Sequence, residues 1–192
     1  MGRRRLRHSV LVCSLTVAAC LSCAFSVRPQ SRSDEYKVKA SYLYNFGKFV
    51  HWPPATTKDP NFVICIIGSD PFGRMLDAAV AGEKINDRSL MARRIAAPQE
   101  ASACHILFIS ASEAGRLADI LNVLDRASVL TVSDIPGFTA NGGMIQFVLQ
   151  ENKVRFEVNM TAAEAARLTF SSQLLKVATN IRREPRSAEK PQ

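Results

Sequence analysis

Cys104 and His105 stand side by side as a nucleophile and its base would, yet their spacing defeats the chemistry. Adjacent residues on a strand point to opposite faces, so thiol and imidazole cannot share a hydrogen bond there. His51 is isolated, His8 lies in the leader-like start, and no His, Cys, Asp or Glu spacing matches a metal site. There is no phosphate-binding loop, and Gly142-Gly143 is not a dinucleotide fingerprint. That pair instead lets the backbone turn sharply or approach another chain closely. The expectation is a protein that is not an enzyme, with no catalytic residues, metal or cofactor.

Polar residues do follow three apolar runs: Ser69 and Asp70, Ser110 and Ser112, Ser133 and Asp134. If those runs are neighbouring parallel strands, the six residues share one rim, where open α/β sheets bind ligands. Two helix N-termini at that rim could aim donors at an anion. The plainer alternative is that Ser and Asp here are helix caps.

The elements that position these residues follow from periodicity. Asp34 to Val50 repeats apolar residues at three-and-four spacing (Val38, Tyr42, Leu43, Phe46, Phe49), which predicts a helix ended by Trp52-Pro53-Pro54. Trp52 is the sole tryptophan and is expected to pack against that helix end. Phe62 to Ile67 is a buried strand, and Ser69-Asp70-Pro71 opens a helix running to Gly82. Leu90 to Ile95 is a more exposed strand and His105 to Ile109 another core strand. A helix opened by Ser110 to Glu113 buries Leu117, Ile120, Leu121 and Leu124. Val129 to Val132 is a strand, and Met144 to Gln150 with Val154 to Asn159 form a hairpin across Glu151-Asn152-Lys153. Thr161 and Glu164 read as a capping box for a helix over 162–168, followed by a longer helix from Phe170 to Ile181. The alternation predicts an α/β fold: a three-layer domain with a central mixed, mostly parallel sheet flanked by helices, ending in the hairpin and C-terminal helices.

Composition suits one domain over 34–182, with 47% hydrophobic and 22% charged residues among 192. Arg3, Arg4, Arg5 and Arg7 before the apolar run from Val10 to Phe25 form a secretory signal, 1–26, too short for a membrane span. Small residues at Ser22-Cys23-Ala24 suit cleavage by a general signal peptidase, whereas Val17-Ala18-Ala19-Cys20 resembles a lipobox that would lipidate Cys20. Half of the formal +8 leaves with these four arginines, and the remaining basic residues are scattered, which argues against nucleic acid. Residues 183–192 read as a mobile charged tail. Only Cys65 and Cys104 lie beyond the signal, which implies one disulfide in an exported protein; two buried, unpaired thiols are the alternative.

Taken in order, Lys39 to Phe46 with Trp52-Pro53, Gly68-Ser69-Asp70-Pro71-Phe72-Gly73, Cys104 to Ser110, Val129 to Gly137, Gly142-Gly143-Met144-Ile145 and Ser171-Ser172-Gln173-Leu174-Leu175 resemble the YfiR family. That resemblance implies a periplasmic regulator binding the periplasmic part of an inner-membrane diguanylate cyclase or receptor. It further implies release by an outer-membrane lipoprotein and lowered cyclic-di-GMP when the cyclase is restrained. Cys65 and Cys104 match a family cysteine pair, while a second family pair has no counterpart between Met144 and Val158. The alternative function is a periplasmic small-ligand binding protein serving a receptor or transporter. For partner or homodimer contact, the late hairpin should sit at a sheet edge with Phe138 and Met144 presented to another chain. Tyr42 and Tyr44 on the first helix are the next candidates.

Overall fold

The computed structural model describes residues 31–54 and 60–183. The segment 1–26 expected to be a signal, Cys20, and all but the first residue of the tail expected over 183–192 therefore lie outside the described residues. Helix α1 is Arg32–Phe49, started by the Ser31 hydroxyl, which accepts the Asp34 N–H at 3.1 Å. Strand β1 (Val50–His51) leads to β2 (Phe62–Ile67), α2 (Arg74–Val80), β3 (Lys84–Ile85), β4 (Arg88–Ile95) and β5 (Ile106–Ile109). After α3 (Leu117–Val123) come β6 (Leu130–Ser133), β7 (Ile145–Gln150), β8 (Lys153–Asn159) and α4 (Met160–Ala165). β9 (Thr169–Phe170), α5 (Ser172–Val177) and β10 (Asn180–Arg182) complete the order. Two 3-10 segments, Pro98–Ala103 and Ala111–Arg116, precede β5 and α3.

Eight strands form one sheet in the order β10-β8-β7-β6-β5-β2-β4-β3, and β1 pairs with β9 apart from it. Only β3/β4 and β7/β8 are antiparallel in the large sheet. Each turns on two residues with positive φ, Asn86-Asp87 (49° and 64°) and Glu151-Asn152 (50° and 57°), the backbone that tight hairpins require. Along β2 the side chains alternate between two cores. Phe62, Ile64 and Ile66 meet α1, α2 and the C-terminal helices, whereas Val63, Cys65 and Ile67 meet the 3-10 segments and α3. The expected three layers are thus present. Trp52 packs edge-on to Phe62, and its Nε1–H donates to the His105 carbonyl at 3.2 Å. No helix among the described residues is long and apolar enough to cross a membrane.

Five expectations are corrected. The helix expected from Ser110 begins as a 3-10 turn and becomes α-helical only at Leu117. Asp70 starts no helix: its Oδ1 accepts the Phe72 and Gly73 N–H groups at 2.8 and 3.2 Å, a local turn that delays α2 to Arg74. Asn159, not Thr161, caps α4 through the Ala162 N–H at 3.1 Å. The long helix expected from Phe170 to Ile181 splits into β9, α5 and β10. Because β10 pairs with β8, the hairpin is not the sheet edge.

Candidate functional site

The sheet brings the six rim residues together. β2, β5 and β6 are parallel neighbours, with Ile67 opposite Ile109 and Ile109 opposite Ser133, so the chain leaves all three strands at one end. What it builds there is mostly an internal network. Ser110 Oγ donates to the Ser69 carbonyl at 2.7 Å, and Ser112 Oγ accepts the Ser69 N–H at 2.9 Å. Ser133 Oγ donates to the Ile109 carbonyl at 2.7 Å and accepts the Ile135 N–H at 3.0 Å. Asp70 Oδ2 accepts from Arg94 Nε at 2.9 Å. Three hydroxyls are thereby spent on cross-strand and turn contacts, and the first turn after β5 has no side-chain cap.

Asp134 is different. Its Oδ2 accepts from the Tyr36 hydroxyl and from Lys39 Nζ, both at 2.7 Å, and Lys39 Nζ also meets Glu35 Oε1 at 2.5 Å. The Lys39 side chain is only 4% exposed, and its ammonium lies 4.4 Å from the Tyr36 ring centroid. Burial and the neighbouring carboxylate hold the Tyr36 hydroxyl above the usual tyrosine range. Asp134 Oδ1 is buried without a hydrogen-bond partner. Two carboxylates share one ammonium here, and the Arg32 side chain also hydrogen-bonds the Tyr36 hydroxyl, beside a cleft of 480 Å³. Sequence reasoning overlooked Lys39. The signal was present, since Lys39 lies three residues after Tyr36 and four before Leu43, on the stripe that α1 buries.

The expected contact residues divide. Phe138 is fully buried and Met144 nearly so, which corrects their assignment to an exposed surface. The Phe138 ring fills the space where a Cβ at Gly143 would sit, so Gly143 serves a close approach within the chain and not one to another chain. Gly142, with φ +94°, supplies the turn. Tyr42 is half-buried and packs against Phe46, Phe147 and Phe156 at ring separations of 5.5 to 5.9 Å. Tyr44, also half-buried, donates to Glu83 and lies under Lys48 Nζ. Beside Tyr42, between α1 and α5, runs an apolar groove of 280 Å³ walled by Phe46, Phe49, Phe156, Leu174 and Val177. Val177 is 61% exposed.

Cys65 and Cys104 are joined as a disulfide, with Cα atoms 5.9 Å apart and both residues fully buried. That removes the only thiol beside a histidine. His105 lies between core residues, its Nδ1 accepting the Val63 N–H at 3.1 Å and its Nε2 2.9 Å from Arg88. No group of three metal-binding side chains occurs among the described residues.

The YfiR/HmsC-like family model matches residues 36–179, from the first turns of α1 to just past α5. The chain belongs to the YfiR/HmsC-like family. No curated protein sequence matches it. Among solved structures, a conserved domain protein from Vibrio cholerae is similar at TM-score 0.56 and 10% identity. The ABC domain from Streptococcus pneumoniae in complex with L-Trp is similar at TM-score 0.52 and 9% identity. In both comparisons 77% of this chain is covered, and it spans 60% of the other chain. At such identity these two show a shared fold only, whereas the YfiR/HmsC-like match extends to the sequence blocks that build the rim and the disulfide.

Proposed function

We propose that this YfiR/HmsC-like chain is a periplasmic regulator that binds the periplasmic part of a membrane-bound diguanylate cyclase, restrains it and so lowers cyclic-di-GMP. The observation that carries this is the family match over 36–179, which takes in nearly all of the described domain. The apolar groove beside Tyr42, with Val177 61% exposed, supports it, because an exposed apolar strip suits protein contact. The buried disulfide suits an oxidising compartment. An outer-membrane lipoprotein that relieves the restraint completes the scheme. The test is to delete the gene in its own host and measure cyclic-di-GMP, then to capture the cyclase with the exported protein. A rise on deletion and direct capture are expected; unchanged cyclic-di-GMP with no captured cyclase would refute the proposal.

A small-ligand function is favoured by one observation, the same 280 Å³ groove with Asn45 and Gln173 amides on its lining. Because the pneumococcal fold relative holds L-Trp, titration with L-Trp followed by calorimetry is the first check. Saturable heat would support this second function, and flat titrations with L-Trp and a panel of apolar amino acids would remove it.

A further inference from the structure

β10 is the last strand of the eight-stranded sheet and has a neighbour on one side only, β8. None of its three residues is buried, and no other strand of that sheet lacks a buried residue. Which backbone groups it leaves open follows from the ladder. Gln150 and Lys153 flank the two-residue turn of the β7/β8 hairpin and form its nearest hydrogen-bonded pair, so Arg155, Glu157 and Asn159 also spend their backbone groups on β7. The Asn159 N–H accordingly donates to the Met144 carbonyl at 2.8 Å. Phe156 and Val158 then point theirs at β10, where Asn180 and Arg182, opposite Glu157 and Asn159, receive them. Ile181 is left with its N–H and C=O aimed outward. Its side chain, on the α1/α5 face with that of Val158, is 45% exposed.

We infer that β10 is an interface between two copies of this chain, paired antiparallel about a two-fold axis that passes between their Ile181 residues. This goes beyond the regulator function and does not depend on it. Centred there, the pairing gives Ile181 reciprocal backbone bonds to its counterpart and lets each Arg183 N–H meet the opposite Thr179 carbonyl, so the whole strand is used. Arg182 falls beside the second copy's Asn180, and no like charges stand opposite each other. Moving the centre to Arg182 would oppose two arginines, and moving it to Asn180 would carry Arg183 against the end of α5 at Val177. Charge selects a second copy as the occupant. On the sheet face away from α1, Glu157 lies beside Asn180, which places each Arg182 two strand spacings, about 10 Å between Cα atoms, from the second copy's Glu157. That is within the combined reach of the two side chains. Among the described residues neither is in an ion pair: the Glu157 carboxylate accepts from the Thr139 hydroxyl at 3.4 Å, and Arg155, next along the same face, forms no salt bridge with it. The dimer therefore makes two ion pairs that the single chain lacks. Its axis stands perpendicular to the sheet, so both apolar grooves between α1 and α5 look the same way.

The test is sedimentation of the exported protein from about 1 μM to about 0.5 mM, with amide exchange of Ile181 followed over the same range. Expected are a reversible monomer–dimer equilibrium and an Ile181 amide that exchanges fast when dilute and is protected when concentrated. Ile181→Pro removes an N–H that the β8 ladder does not use, and Arg182→Glu sets carboxylates against each other; each should weaken dimerisation about tenfold or more. Glu157→Arg should weaken it as well. Mixing Arg182→Glu with Glu157→Arg rebuilds both ion pairs across the axis, so the mixed dimer should regain the affinity that each variant loses alone. A chain that stays monomeric throughout, a dimer whose Ile181 amide remains fast, or no recovery in the mixture would overturn the proposal. An Ile181 amide protected at every concentration would overturn it too, because the chain itself would then close the edge; its release on removal of residues 184–192 would name the occupant. Sedimentation and exchange use the unmodified chain, so misfolding of a variant leaves the answer intact.

Discussion

The two faces of the sheet are held in different ways. One face is covered by the eighteen-residue α1, whose Tyr42 and Phe46 interleave with Phe147 and Phe156 and whose Lys39 is locked to Asp134. The other is covered by two 3-10 segments and the seven-residue α3. Short, irregular cover buries less apolar surface per residue and holds itself less well. On that face the chain adds a covalent bond, Cys65 to Cys104, and a wedge, Phe138 against Gly143. A long amphipathic helix and a disulfide are thus alternative answers to one problem, fixing a layer on a sheet.

Breaking the staple should have the largest effect. Replacing Cys65 and Cys104 by Ala frees a loop whose ends are 39 residues apart, which costs about 4 kcal/mol in the loop-entropy account. Urea unfolding of the double variant against the oxidised protein measures it, and a loss below about 1 kcal/mol would mean that the short-helix face holds without the bond. Phe138→Ala comes next. A fully buried phenylalanine truncated to alanine costs about 3 to 4 kcal/mol, partly through the cavity left against Gly143. A melting curve decides it; a near-unchanged midpoint would return Phe138 to the surface role expected from its loop.

On the helical face the corresponding probe is Lys39→Met. It keeps the stem's packing but leaves Glu35 and Asp134 facing each other without their shared ammonium. Breaking a fully buried pair costs 3 to 5 kcal/mol; with Asp134 12% and Glu35 18% exposed, about 2 kcal/mol is expected. Adding Asp134→Asn should recover part of the loss. Chemical denaturation of the single and double variants gives the coupling, and no recovery would show that the loss does not come from the unpaired Asp134 carboxylate.

How much of this the sequence disclosed depended on what kind of signal each region carried. α1 was legible because its apolar residues recur at helical spacing, and β2 because six apolar residues run unbroken before a glycine. The same logic failed from Phe170 to Ile181, where leucines at helical spacing hide a strand: β10 is set by pairing with β8, a contact made across more than twenty residues. Phe138 looked exposed because a Pro-Gly turn precedes it, and only the tertiary approach of Gly143 explains its burial. The rim was placed correctly by strand order, but the partners of its hydroxyls depend on registers that periodicity does not give.

The smallest effect belongs to the ion pair that joins the two kinds of element at the sheet's far side. Arg94 on β4 meets Asp77 on α2 through Nη1 to Oδ1 at 2.6 Å and Nη2 to Oδ2 at 2.9 Å, and its Nε binds Asp70. The hydrogen bonds from Arg94 hold the Asp77 carboxyl below its ordinary value of 3.8. Because the folded value is the lower one, the pair stabilises the fold above the unfolded value and loses that stabilisation as pH falls through the folded one. Asp77 is half exposed and Arg94 more than a third, so water screens the attraction to about half a kcal/mol. Asp77→Asn should therefore be slightly less stable than wild type at about pH 6, and the difference should shrink as pH falls through the folded value and Asp77 takes up its proton. Urea midpoints of the two proteins across that range provide the measurement. A difference that stays constant with pH would assign the contribution of Asp77 to hydrogen-bond geometry instead of charge.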